Sequence, residues 1–184
     1  MLYHASQTPD IEIIEPRISN HKKPLVYFSK KRENTLVYLS NAVQKHCRET
    51  GFSYDGIFTK WASYGFNKEG IFVLDEYYPN ASRETYEGVE GYIYSAAEGE
   101  CEPLSGIPFA FVSRDPVKTE GCEYVPNAYA ALLQAAEEGK IIMNSYENNS
   151  PGKLEWINKT VREEYADPGI TPEYKYFLEC KFGL

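Results

Sequence analysis

The sequence predicts an α+β fold. Three observations carry this: short β-rich segments punctuated by Pro, Gly and Asn fill the first two thirds, the longest stretches of helical periodicity come at the end, and strands and helices do not alternate regularly as βαβ units would. A length of 184 residues predicts one domain, 1–184. A net charge of −8, with 42% apolar and 25% charged residues, is an ordinary globular balance and excludes a disordered or fibrous chain.

The elements follow in order. Leu2–Ser6, Glu12–Ile14 and Leu25–Ser29 are short β-rich runs separated by turn-forming residues and predict three strands. From Ser29 as N-cap, a helix over Lys30–Arg48 places Leu36, Leu39, Val43 and Cys47 on one face, and Gly51 ends it. Residues 57–66 and 70–78 predict a strand pair, followed by a short helix near Ser82–Tyr86. Gly91–Ala96 and Phe109–Ser113 read as strands around the acidic loop Glu98–Gly106, and Pro116 makes the second an edge or ends it. Pro126 opens a helix through Tyr129, Leu132, Leu133 and Ala136 that Gly139 stops; a strand over Lys140–Tyr146 follows. Ser150-Pro151 opens a helix through Tyr165, and Thr171-Pro172 opens a last one to about Cys180.

Charge and cysteine usage narrow the function classes. The acidic balance argues against a general nucleic-acid or membrane binder, which needs a cationic field. Yet residues 1–32 gather Arg17, Lys22, Lys23, Lys30, Lys31 and Arg32 with only three acids, a cluster that reads as a solvated segment or as a local anion site. Cys47, Cys101, Cys122 and Cys180 form no C-x-x-C pair, so neither zinc nor a disulfide framework is expected. No leader pattern or membrane-length apolar run appears, which predicts a cytoplasmic protein. P-loop, G-x-G-x-x-G, G-x-S-x-G and H-E-x-x-H motifs are absent. Of the three histidines, His21 falls in a polar loop and His46 inside a helix; His4 lies in the first strand, where the fold must supply its partners.

Leu2-Tyr3-His4-Ala5-Ser6, then Glu15-Pro16-Arg17-Ile18-Ser19-Asn20, then Val26-Tyr27-Phe28-Ser29 entering a helix, resembles the ADP-ribosyltransferase-like fold, nearest to the small rifamycin-inactivating ADP-ribosyltransferases. Gly91-Tyr92-Ile93-Tyr94 and Ser113-Arg114-Asp115-Pro116-Val117 are similar to two later pieces of that family. The resemblance covers roughly the first 50 residues and a second block at 91–117. It implies a split antiparallel β core with flanking helices and a helical C-terminal part, with NAD as substrate and no metal.

Under that resemblance His4 holds a ribose hydroxyl, backbone groups of Ala5 bind the nicotinamide amide, Tyr27 stacks on its ring, and Arg17 with Lys30 or Lys31 offsets the pyrophosphate. His4 and Tyr27 are then expected to project from neighbouring strands into one cleft. Cleavage of the nicotinamide bond passes through an oxocarbenium-like state and needs a carboxylate. Where many members carry Glu this chain has Ala110, so the acid is expected from the loop holding Glu98, Glu100 and Glu102, with Glu102 favoured beside the stiff Pro103. The expected activity is mono-ADP-ribosyl transfer to an unknown protein or small-molecule acceptor. The alternative is a non-catalytic NAD-binding or protein-interaction module on the same fold. An RNA 2′-phosphotransferase ranks last, because that family uses several arginines and this chain has six in all.

Overall fold

The computed structural model describes residues 1–18, 23–56, 63–99 and 101–184. Their elements are β1 (Leu2–Ser6), β2 (Ile13–Ile14), β3 (Arg17–Ile18), β4 (Pro24–Ser29), a 3-10 helix (Arg32–Leu39), α1 (Ala42–Thr50), β5 (Ser63–Phe66), β6 (Phe72–Asp75) and α2 (Ala81–Tyr86). There follow β7 (Gly91–Ala96), β8 (Glu102–Pro103), β9 (Ala110–Ser113), β10 (Val117–Lys118), β11 (Gly121–Val125), α3 (Ala128–Glu137), β12 (Ile141–Asn144), a 3-10 turn (Tyr146–Asn148), α4 (Pro151–Tyr165) and α5 (Pro172–Phe182). The class is α+β.

The main sheet runs β11-β7-β1-β4-β9-β8, with β3 added beside β4. Its pairings are antiparallel, and β1 is central. A second sheet, β12-β6-β5, includes one parallel pairing, Ile141 opposite Phe72. β2 and β10 form a two-stranded ribbon.

Alternation along the strands sorts the interior into two cores. Ala5 and Ile93 face Leu36, Leu39 and Val43 and the helical side, where Leu132, Phe177 and Leu178 are fully or almost fully buried. Leu2, Val26, Phe28 and Tyr94 face the other way and form a smaller core with Ile14 of the ribbon. Fully burying a side chain such as Leu132 or Phe177 stabilises by about 1.5–3 kcal/mol, so the helical side holds the sheet more firmly than the ribbon side.

Local chemistry explains where elements depart from expectation. The single helix over Lys30–Arg48 is two, because Ser40 is extended and Asn41 caps a new start by accepting from the Val43 and Gln44 N–H groups. Ser29 caps no helix, although its hydroxyl accepts from the Lys31 N–H. The face Leu36, Leu39, Val43, Cys47 is buried throughout. The first part of the predicted strand 57–66 lies outside the described residues; β5 begins at Ser63. β9 stops before Pro116 but is no edge, since the Glu98–Gly106 loop contributes β8 alongside it. Asn127, rather than Pro126, caps α3. β3, β10 and β11 were not expected from local pattern: the first two are two residues long, and β11 is largely exposed and so lacks an apolar alternation.

Candidate functional site

The centre of the sheet is a seam. β1 shares five residue pairs with β7 on one side but a single pair, Tyr3 with Ser29, with β4 on the other. Past that pair the two strands diverge, and a side chain replaces the ladder: the His4 ring bonds through Nδ1 to the Tyr27 carbonyl at 2.9 Å. Because a carbonyl only accepts, Nδ1 carries the hydrogen, and the neutral ring keeps Nε2 as an acceptor. Burial holds the His4 imidazole below its usual range; the Tyr27 bond opposes this, and the nearby Arg17 charge adds to it.

His4 and Tyr27 thus come together through a ring and a backbone oxygen, while their side chains part. Tyr3 and Ser29 share a face, so alternation puts His4 with Phe28 on one face and Ala5 with Tyr27 on the other. The contacts agree: the His4 and Phe28 rings meet edge-on at 5.9 Å, whereas Tyr27 lies near Tyr38 on the helical side. The pleat contradicts the expectation of one cleft holding both rings, and rings on opposite faces of the sheet count against the resemblance that implied it. The two faces that flank the seam carry different groups.

Arg17 stands exposed on β3 opposite Leu25, which sets it on the Tyr27 face, and its charge still reaches His4 electrostatically. Lys30 is tied to Glu98 at 3.1 Å and lies 5.0 Å from the Phe111 ring centre. Among the described members of the basic cluster, Arg32 is bound to Glu123 by two hydrogen bonds and Lys31 lies beside the Phe109 ring, while Lys22 lies outside the described residues. A cavity of about 610 Å³ opens beside Glu98, Cys101, Asp115, Lys118 and Glu120, and its lining does not include His4, Tyr27 or Glu102.

The Tyr27 face carries aromatic rings and an acid. Tyr38, 47% exposed, meets Tyr64 edge-on at 5.8 Å; Phe66 joins the row through Phe72 and reaches Phe109 at 6.2 Å. Burial of its surroundings raises the Tyr38 hydroxyl, a Tyr64 hydroxyl contact opposes this, and Tyr27 adds to it. Tyr27 stands opposite Val112, and Val112 stands opposite Glu102. Directly opposed residues share a face, so Glu102 and Tyr27 project to the same side from strands two apart, about 10 Å between backbones. Glu102 is exposed there. Ala5 is 7% exposed and packed in the core, and Ala110 opens β9 opposite Ser29. Glu98 is held by Lys30, and Glu100 lies outside the described residues.

Tyr38, Tyr64, Phe66 and Phe109 were missed by sequence reasoning. Tyr38 had a usable signal, an aromatic residue off the buried face of its helix. Phe109 had none, because its left-handed backbone, φ +61°, is invisible in a sequence. The chain matches no protein-family model, no curated protein and no solved structure.

Proposed function

We propose that the chain binds NAD across the β1–β4 seam and acts as a mono-ADP-ribosyltransferase. The observation that carries this is the His4–Tyr27 bond. It fixes an acceptor nitrogen on one face of the seam, suited to a ribose hydroxyl, within electrostatic reach of Arg17, which would meet the pyrophosphate from the other face. The other face offers rings for the nicotinamide and, in Glu102, a carboxylate near enough to act on its ribose. Bond breaking at the ribose C1′ sends the electron pair to the nicotinamide nitrogen and leaves positive charge on the sugar. Glu102 holds the 2′-hydroxyl and stabilises that charge, and an acceptor nucleophile then bonds to C1′ and loses its proton.

Nicotinamide release from NAD, with and without candidate acceptors, tests this. His4→Ala lowers NAD affinity and turnover together, whereas Glu102→Gln leaves affinity nearly intact and lowers turnover by roughly a hundredfold. Ala110 and the exposure of Glu102 favour a second reading, an NAD-binding module without turnover. Binding without nicotinamide release selects it, and failure of NAD to bind folded protein refutes both.

A further inference from the structure

Phe109 is a bulky residue in a backbone conformation that favours glycine, at φ +61°. The consequence is directional. Regular alternation from Phe111, which packs against the ribbon-side core, would send Phe109 to that same face. Instead its ring meets Phe66 on the opposite side, in the row that includes Tyr38 and Tyr64. The ring remains 37% exposed, so it is not held there by burial alone.

One face of this ring carries a cation. Lys31 Nζ lies 4.2 Å from the ring centre. Its neighbours Lys30 and Arg32 are both neutralised, by Glu98 and Glu123; Lys31 makes no ion pair among the described residues. An ammonium held on an aromatic face by no carboxylate is a cation that another can replace. A planar heterocycle with a positive charge in the ring combines that attraction with stacking area.

We propose that Phe109 is the ring that recognises a cationic planar heterocycle, the N-substituted pyridinium of an oxidised nicotinamide nucleoside, with Lys31 holding the same face in its place. This rests on the reading of the protein as an NAD binder, and it adds a selectivity for the oxidised ring set by one strained side chain.

Nicotinamide riboside, which has the pyridinium but no phosphate, and its reduced dihydro form, which lacks the ring charge, are the probes. Calorimetric titration of the wild type is expected to favour the oxidised form. Phe109→Leu cuts that preference roughly two- to fivefold, and Lys31→Gln tightens the oxidised form by a similar factor, the scale of one exposed cation–π contact. Phe109→Gly relieves the backbone but gives up the Phe66 contact, so the preference should be lost in a protein that still unfolds cooperatively, which separates recognition from folding. An oxidised-to-reduced ratio unchanged in Phe109→Leu, or weaker binding of both forms in Lys31→Gln, overturns the assignment and leaves the NAD reading standing. If neither the probes nor NAD binds the wild type, both fall.

Discussion

Acidification reads out the His4 latch directly. Burial keeps His4 below its ordinary value of 6.5, so the folded protein resists a proton that the unfolded chain accepts. Above about pH 6.5 both states leave the ring neutral and its contribution to stability is complete. As pH falls through 6.5 the unfolded state binds more protons, and stability declines until the folded ring also protonates. For one such histidine the slope is at most about 1.4 kcal/mol per pH unit. His46 is shifted the same way, by burial first and then by Lys181, and adds a slope of the same sign. Urea denaturation between pH 7.5 and 5.5, where carboxylates stay ionised, should show this decline in the wild type. His4→Gln, which can still donate to the Tyr27 carbonyl but does not titrate, should have a shallower slope and leave the His46 contribution. NAD affinity should fall only at lower pH, where the folded ring itself protonates and the Nε2 acceptor is lost. A His4→Gln slope equal to the wild type, or wild-type stability that rises on acidification, refutes the reasoning.

Two further outcomes concern the frame around the seam. In Gly91→Ala the new methyl would sit 2.6 Å from Leu39 Cδ2 and 3.0 Å from the Ser6 carbonyl oxygen, and Leu39 is fully buried, so thermal denaturation should show a loss of about 1–3 kcal/mol; an unchanged melting temperature means that Leu39 moves aside freely. Asn41→Ala removes the cap of α1 and the bond to the Tyr54 hydroxyl and should cost about 1–2 kcal/mol, with Asn41→Asp recovering the cap alone; chemical denaturation of the three proteins checks this.

The sequence made some of this legible because the signals were local. Gly91–Ala96 and Leu25–Ser29 are dense in β-forming residues, and Ser150-Pro151 and Thr171-Pro172 start helices where that chemistry places them. Asn41 was overlooked because the apolar spacing from Leu36 to Cys47 continues through it, although the backbone does not. β8 owes its existence to β9, a long-range pairing that two residues of an acidic loop cannot announce. For the site, the neighbourhood of His4 and Tyr27 was readable from their order along the chain. The side of the sheet each ring takes was not, since a shift of one residue in the β1–β4 register would reverse their relation. Glu102 could be named as a candidate, but only its register with Val112 sets it on the face of Tyr27.

The single pair between Tyr3 and Ser29 also divides the sheet dynamically. Strands β11, β7 and β1 are laddered together, as are β4, β9 and β8, and between these halves the backbone offers one bridge and one imidazole. Amide protons inside each half are protected by continuous pairing, whereas those facing the seam can exchange through a local opening that leaves both halves folded. The sheet is therefore two laddered plates joined along one weak line of pairing, across which Leu2 and Tyr94 still pack with Val26 and Phe28. A ligand that touches both plates would slow exchange at the seam even if it altered no average coordinate.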